Sequence, residues 1–212
     1  MAARVLLVTD PHFGDEAIVR CVESAAAALP WGWLGVQLRD KGRPPVSLRL
    51  FASRLRRVTR AVGAALILNG NAALARDVEA DGVHLGRDGG RVRDARAVCG
   101  ARIWVSVAAH SDGAVRQAIA DGANAVLVSP IFTSRPPGLV ASAKEGRGLG
   151  ALRSASALSG GRVAVYALGG VDADNTRACT EAGAEGVAVV RALLARSDPA
   201  RAARAIHRAL LA

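Results

Sequence analysis

Eight short apolar runs, separated by longer segments rich in Ala, Arg and Glu, limit what this 212-residue chain can fold into. Each run is continuous rather than alternating, as expected of strands that are buried on both faces. The runs span residues 4–9, 34–38, 65–68, 82–85, 103–107, 125–129, 163–168 and 186–190. The intervening segments carry apolar residues at helical spacing, most clearly at 15–28, 46–62, 112–120 and 172–182. Asp112 and Asp172 are the expected capping residues of two of these helices.

The order of these elements predicts a closed (β/α)8 TIM barrel of the α/β class, with an open doubly wound sheet as the alternative. A weak internal repeat supports the barrel, because three times a helix ends, a glycine turns the chain and a buried strand begins. The glycines are Gly82, Gly122 and Gly183, in the stretches EADGVHLG, IADGANAVLVS and EAGAEGVAVV. No linker divides the chain, so we expect residues 1–212 to form a single domain.

The chain is basic, with 28 Lys and Arg against 18 Asp and Glu and a formal net charge of +10. Such a charge suits nucleic acid, a membrane surface or a small anionic substrate. The arginines are scattered along the chain, and a solvated helix face explains Arg201, Arg204 and Arg208 near the end. We therefore expect a small anionic substrate, with no nucleic acid and no membrane as partner.

Cys21, Cys99 and Cys179 are odd in number, far apart and without metal-ligand spacing. This pattern indicates reduced thiols in a cytoplasmic protein. The first apolar run is far too short to predict a signal peptide or a membrane span.

In (β/α)8 barrels the residues that follow the strands build the active site. Arg39 and Lys41 follow the second strand, and Lys41 is one of only two lysines in a chain that otherwise uses arginine. Two cations at a strand end suit a phosphate or diphosphate, and a solvated turn is the alternative. Asn69 follows the third strand, where it is suited to hydrogen-bond a ligand or to make a turn with Gly70.

Three further candidates accompany the fourth and fifth strands. His84 lies inside an apolar run, so we expect a packed, hydrogen-bonded histidine there. Asp88, in a glycine-rich loop, is suited to hold Mg²⁺ or to cap the next helix. His110 lies just past the fifth strand, where a side chain that titrates near neutral pH suits proton transfer, with a turn histidine as the alternative.

The last three strand ends predict a second anion site. A long loop at 129–150 is rich in Pro, Gly and Ser, which is typical of a lid or of a flexible surface loop. Its potential donors are Thr133, Ser134, Arg135, Lys144 and Arg147. Gly169 and Gly170 follow the seventh strand, and Val190 and Arg191 follow the eighth. Backbone N–H groups at these two strand ends often bind phosphate in such barrels.

Four stretches, together with LLVTD at residues 6–10, resemble the thiamine phosphate synthase/TenI family over nearly the whole chain. QLRDK at 37–41 is similar to the family's Q-(F/L)-R-E-K, and ADGVHLGRD at 80–88 to its A-D-G-(I/V)-H-(I/L)-G-Q-x-D. ALGGVDADN at 167–175 resembles I-G-G-I-x-x-x-N, and AGAEGVAVV at 182–190 resembles the final strand. The resemblance implies a barrel that binds thiazole phosphate and, in the synthase branch, also an aminopyrimidine diphosphate.

The resemblance also implies roles for individual residues. The diphosphate-binding positions are matched by Gln37, Arg39, Lys41 and Asn69. Asp88 matches one of two Mg²⁺ carboxylates in the synthase branch. The thiazole-phosphate positions are matched by Ser134, Gly170, Val190 and Arg191.

The chain departs from the synthase pattern at several of these positions. Gly70 stands where the first metal aspartate is expected, and Ala108 replaces the pyrimidine-site serine. Pro136 and Pro137 replace a threonine and a catalytic lysine, for which Lys144 is a partial substitute from elsewhere in the loop. Losing a metal carboxylate should weaken activation of the diphosphate, because the metal offsets the leaving-group charge.

The TenI branch is similar at the same places, since it has Asn-Gly after the third strand and a histidine at the position of His110. That branch implies a thiazole tautomerase, in which the histidine acts as acid and base and no cofactor is required. We therefore predict a TenI-like tautomerase of thiamine biosynthesis with His110 and Lys41 as catalytic residues. Thiamine phosphate synthase, which would require Mg²⁺, is the alternative. A non-catalytic binder of thiazole or thiamine phosphate is a further alternative, and the family suggests a homodimer.

Overall fold

The computed structural model describes residues 3–86, 89–133 and 145–212. Within them, parallel strands form a closed barrel in which each strand pairs with the next and the last pairs with the first. The strands are β1 (Val5–Val8), β2 (Leu34–Leu38), β3 (Ala65–Asn69), β4 (Gly82–Leu85), β5 (Trp104–Ala109), β6 (Ala125–Val128), β7 (Ala164–Leu168) and β8 (Gly186–Val189). The predicted (β/α)8 fold is confirmed, and the alternative open sheet is wrong.

Helices follow the strands and cover the outside of the barrel. A 3₁₀ turn (Pro11–Phe13) precedes the first of them. They are α1 (Asp15–Ala26), α2 (Pro45–Ala61), α3 (Ala72–Asp77), α4 (Val92–Cys99), α5 (Asp112–Ala120), α6 (Gly148–Ser159), α7 (Ala173–Glu181), α8 (Arg191–Leu194) and α9 (Pro199–Leu211). The four helices predicted most clearly are confirmed to within about two residues at either end.

Local hydrogen bonds explain where individual elements begin and end. Asp172 caps α7 as predicted, and it forms a reciprocal capping box with Asn175. Asp112 is the first residue of α5 rather than its cap, because the Ser111 hydroxyl accepts the capping hydrogen bond. β5 continues to Ala109, beyond the predicted end at residue 107, because it still pairs with β6 there.

Alternate residues of each strand face the barrel interior. The inward apolar residues form a cluster separate from the main core, which lies between the strands and the helices. Gly82 and Gly186 also face inward. A Cβ on Gly82 would lie 2.9 Å from Trp104, and one on Gly186 would lie 2.5 Å from Tyr166. These two glycines therefore leave the room that the large aromatic rings fill.

Many arginines on the outer helices pair with carboxylates of neighbouring elements or of the same helix. The pairs include Arg49–Asp77, Arg54–Glu16, Arg56–Asp81, Arg60–Glu79 and Arg177–Glu181. Exposed pairs of this kind stabilise a fold by at most about 1 kcal/mol each. Much of the basic charge on the helices is thus neutralised locally, as the scattered arginines of the sequence suggest.

The three cysteines are free thiols, and Cys21 and Cys179 are buried. Burial raises the pKa of Cys21 to about 12, so this thiol stays protonated. Across the described ranges, no helix combines the length and the hydropathy that a membrane span needs.

Candidate active site

The carboxyl-terminal end of the barrel interior, here called the mouth, is polar along β2 to β5. Gln37 is only 3% exposed, and its Nε2 donates a 3.0 Å hydrogen bond to Oδ1 of Asn69. In the described part of the chain, Oε1 of Gln37 and Nδ2 of Asn69 have no partner. The pair is therefore a preformed amide surface that offers a ligand one acceptor and one donor.

Two cations stand at the end of β2, as predicted. Arg39 and Lys41 are exposed, and neither forms an ion pair with any carboxylate that the structure describes. Asp40 lies between them, but Nε of Arg43 binds its Oδ2 at 2.7 Å. Arg43 is itself hydrogen-bonded to Asp15 at 2.9 Å, and this bond holds the pKa of the Asp15 carboxyl below its usual range. An anion entering the mouth would thus meet the positive charges of Arg39 and Lys41, because the carboxylate between them, Asp40, is already paired with Arg43.

The end of β1 fixes the end of β2. The Thr9 hydroxyl accepts a 2.9 Å hydrogen bond from the backbone N–H of Arg39. Thr9 also donates its own N–H to the carbonyl of Gln37 at 3.0 Å. Both bonds hold the chain where it leaves the barrel, so the position of Arg39 is set by β1 as well as by β2.

His84 is buried in the barrel interior, as the sequence suggests, and it is hydrogen-bonded. Its Nδ1 lies 2.9 Å from Oγ of Ser106 on the neighbouring strand β5. Burial, helped by the nearby charges of Arg39 and His110, lowers the pKa of His84 to about 4. The ring is therefore neutral near pH 7.

His110 lies exposed at the mouth, directly after β5. Its Nδ1 is 2.8 Å from the carbonyl oxygen of Ser129 at the end of β6. A carbonyl oxygen only accepts hydrogen bonds, so Nδ1 carries the proton and Nε2 keeps its lone pair. This arrangement suits a general base whose ring orientation is fixed by the backbone.

The loops after β6 and β7 pack directly against each other on the other side of the mouth. Ile131 donates its N–H to the carbonyl of Leu168, and Phe132 donates to that of Gly169, both at 2.9 Å. Gly170 has a φ of +67°, and a Cβ there would lie 2.7 Å from Cβ of Phe132. Both the backbone conformation and the close contact require glycine at this position.

Two backbone N–H groups, at the ends of β7 and β8, concern the other side of the mouth. Among the described residues, neither Gly170 nor Val190 donates its N–H to any acceptor. Nδ2 of Asn175 donates to the Gly170 carbonyl at 2.9 Å, which holds this part of the loop. Val190 caps α8, and Arg191 is exposed at the start of that helix. Adjacent free N–H groups beside an arginine form an arrangement that binds phosphate.

The structure thus brings most of the predicted site residues to one end of the barrel. Asp88 and Ser134 lie outside the described residues, as do Pro136, Pro137 and Lys144 of the long loop. Gly70 offers no carboxylate, and the described ranges hold no group of three His, Cys, Asp or Glu side chains placed to share a metal ion. The described residues therefore do not form the two-carboxylate Mg²⁺ site of the synthase pattern, because position 70 carries no carboxylate.

Sequence reasoning missed several residues that shape the mouth. Thr9 and Ser129 sit directly at strand ends, so the rule that pointed to Arg39 could have found them. Ser106 lies two residues before Ala108 on the same face of β5, and the period of two could have indicated it. Arg147 was among the predicted donors of the loop, but its backbone N–H donates to the carbonyl of Pro130, a contact between distant parts of the loop that the sequence pattern did not predict.

The comparisons with known proteins point to one family. The family model described as thiamine monophosphate synthase (TMP-TENI) matches residues 5–193. A thiamine-phosphate synthase of Gloeobacter violaceus is 39% identical, over 94% of this chain and 55% of its own length. A putative thiamine-phosphate synthase of Geobacter sulfurreducens is 34% identical, over 94% of this chain and 91% of its own length. The chain thus spans about half of the first relative and most of the second.

Among solved structures, thiamine phosphate pyrophosphorylase from Pyrococcus furiosus superposes with a TM-score of 0.83. It is 21% identical and covers 99% of this chain and 96% of its own, a likeness that concerns the fold. The family match, by contrast, extends from β1 to α8 and so includes the strand ends at which anion sites are predicted. The chain belongs to the thiamine monophosphate synthase family, as its motifs indicate.

Proposed function

We propose that this enzyme is a thiamine-phosphate synthase that joins an aminopyrimidine diphosphate to a thiazole phosphate and releases diphosphate. The departures of the sequence from the synthase pattern favour a tautomerase and leave the synthase as the alternative. The relatives are named as thiamine-phosphate synthases, and these names support the synthase rather than the tautomerase.

The observation that carries the proposal is the presence of two separate regions suited to anions. Arg39 and Lys41 stand at the end of β2. The N–H groups of Gly170 and Val190, which have no acceptor among the described residues, stand at the ends of β7 and β8. Strand β1 separates the two regions in the barrel. A synthase binds two phosphorylated substrates, whereas a tautomerase needs to hold only one phosphate.

Each region has a role in this reaction. Arg39 and Lys41 would bind the diphosphate and stabilise the negative charge that grows on it as it leaves. The N–H groups of Gly170 and Val190 would hold the phosphate of the thiazole, so that its ring nitrogen faces the reacting carbon. The amide pair of Gln37 and Asn69 lies on the inner face of β2 and β3 at the mouth and would orient the pyrimidine. A resident Mg²⁺ would further offset the diphosphate charge, and Asp88 as its ligand stays a prediction.

The test supplies both substrates and measures thiamine phosphate and diphosphate together. The wild-type enzyme should form both in equal amounts. Lys41→Met should raise KM for the diphosphate substrate roughly tenfold, the effect of losing one hydrogen bond to a charged group. Arg57→Met is the matched control, because Arg57 is an exposed cation on α2, away from the mouth. A wild-type enzyme that forms no thiamine phosphate would contradict the proposal.

A tautomerase remains a second candidate because of the geometry of His110. The proton on Nδ1 is held by the Ser129 carbonyl, which leaves Nε2 free to take a proton from a thiazole carboxylate tautomer. The pure tautomer should then be aromatised by the wild-type enzyme about 10²–10⁴-fold faster than by His110→Ala. Equal rates would remove this candidate. Location in the cytoplasm and assembly as a homodimer stay proposals.

A further inference from the structure

His84 and Ser106 form a side-chain hydrogen bond that spans two neighbouring strands inside the barrel. His84 is 5% exposed and Ser106 only 1%, and Nδ1 and Oγ are 2.9 Å apart. The two residues are direct partners in the register of β4 and β5. Ala108, where the synthase pattern has serine, faces the same way one step closer to the mouth.

The direction of this hydrogen bond follows from counting hydrogens. The Ser106 hydroxyl has one hydrogen to donate, and the described residues give it no acceptor besides Nδ1 of His84. If Nδ1 donated instead, the hydroxyl hydrogen would be buried without a partner, at a cost in stability. The hydroxyl therefore donates to Nδ1, and the ring proton resides on Nε2.

The position of Nε2 decides what this proton can do. No residue in the described part of the chain accepts from Nε2. The buried side-chain atoms without a partner in that part are both arginine Nε atoms elsewhere, so Nε2 keeps contact with solvent. The charged or titratable groups whose charge acts on the ring are Arg39 at the end of β2 and His110 at the end of β5. Both oppose a second proton on the ring, so His84 reaches the mouth as a neutral donor.

We propose that Ser106 is a positioning residue that fixes the ring and the tautomer of His84, so that Nε2–H donates to an acceptor atom of the bound substrate. This rests on the proposed synthase function, in which that substrate is the aminopyrimidine diphosphate. A neutral donor binds a ring nitrogen or a phosphoryl oxygen without adding charge. His84 thereby differs from His110, whose bond to a carbonyl leaves Nε2 as an acceptor.

The first test measures the tautomer directly, without substrate. In protein labelled with ¹⁵N at histidine, the His84 signals are assigned with His84→Gln, and their shifts report which nitrogen carries the proton. The wild type should show the Nε2–H form. Ser106→Ala should show a mixture of both forms, whereas Ser106→Thr, which keeps a hydroxyl, should retain the wild-type signals. A wild-type His84 protonated on Nδ1 would overturn the inference.

The second test is kinetic and includes a matched control. Ser106→Ala should lower kcat/KM for the diphosphate substrate roughly fivefold, the effect of one net hydrogen bond, and Ser106→Thr should restore most of it. Ser159→Ala removes an equally buried hydroxyl, which donates to the Val163 carbonyl outside the barrel interior. It should leave both the His84 signals and kcat/KM unchanged.

The outcomes separate the two proposals. If the tautomer changes in Ser106→Ala while kcat/KM does not, Ser106 sets the tautomer without a role for substrate, and the inference fails. If the wild-type enzyme makes no thiamine phosphate, the proposed function fails, and the role of Ser106 for that substrate fails with it. The tautomer measurement still decides in that case whether Ser106 controls His84.

Discussion

Side chains line the mouth along β2 to β5, whereas backbone groups line it along β6 to β8. On the first side, Gln37, Asn69 and His84 present polar atoms from within the strands. On the second side the inward residues are apolar, and the hydrogen-bond donors are the N–H groups of Gly170 and Val190 beyond the strands. We call these two regions the side-chain half and the backbone half.

The two halves depend on their neighbours in different ways. A side chain in the first half can be replaced without moving the backbone, because each strand is held by its ladder. In the second half the donor is the chain itself, and the loop Pro130–Phe132 packs within van der Waals distance of Gly169 and Gly170. Any added atom there moves the donor. We therefore expect a small substitution to lower kcat/KM more in the backbone half than in the side-chain half.

Gly170→Ala should have the largest effect of the changes considered. The new Cβ meets Phe132 at 2.7 Å, and the residue must keep a φ of +67°, which costs alanine about 1–2 kcal/mol. A shift of about 1 Å in the N–H group can lower turnover by roughly 10²-fold. We expect kcat/KM for the thiazole phosphate to fall by about that factor, measured at saturating diphosphate substrate.

Gly161→Ala is the control that separates backbone strain at a positive φ from displacement of the phosphate-binding N–H group. Gly161 has a φ of +78°, but nothing lies within 4 Å of a Cβ built there. This variant should therefore lose stability without losing affinity for the thiazole phosphate. If both variants bind the thiazole phosphate as the wild type does, the backbone half does not hold phosphate, and the comparison of the halves is wrong.

The buried His84 in the side-chain half should lower the free energy of unfolding at low pH. Its folded-state pKa of about 4 lies below the value near 6.5 of an unfolded histidine. As the pH falls below 6.5, the unfolded chain takes up the proton first, so the free energy of unfolding decreases. The loss should be about 2 kcal/mol between pH 7 and pH 5 and about 3 kcal/mol by pH 4.

Urea unfolding between pH 7 and pH 5 measures this contribution. Carboxyls whose pKa is lowered by arginines, such as Asp15 and Glu16, lose their contribution mainly below pH 5, as the pH falls from the normal carboxyl range through the lowered pKa. His84→Gln should be less stable at pH 7, where it lacks the bond to Ser106, and its stability should vary less over this window. An equally steep decline in that variant would show that another group titrates.

The sequence predicted the barrel almost completely, because continuous apolar runs and helical spacing are local signals. It also predicted residues of the side-chain half, since Arg39 and Asn69 directly follow apolar runs and Lys41 lies two residues after Arg39. It did not show that Gln37 binds Asn69, because that contact depends on the register of two strands. Nor did it show why Gly170 is required, since Phe132 lies far away in the sequence.

Ala108→Ser adds a hydroxyl donor to the side-chain half and should have the smallest effect of the changes considered. Ala108 is the position where the synthase pattern has serine, and its side chain lies one step above Ser106 on the inner face of β5. Ala108→Ser should raise kcat/KM for thiamine phosphate formation about threefold to tenfold, the net effect of one hydrogen bond to the substrate. Turnover of a thiazole tautomer should not rise, because that reaction does not use the pyrimidine.

Ala164→Ser is the control, because it makes the same change in the same barrel interior but at the opposite end, beside Trp104 and Tyr166. A gain in both variants would indicate a general effect on the barrel rather than a contact with substrate. A gain in Ala108→Ser alone would show that the pyrimidine lies against β5. If Ala108→Ser instead raised tautomer turnover and left synthesis unchanged, the side-chain half would serve the thiazole, and the division of the mouth between two substrates would be wrong.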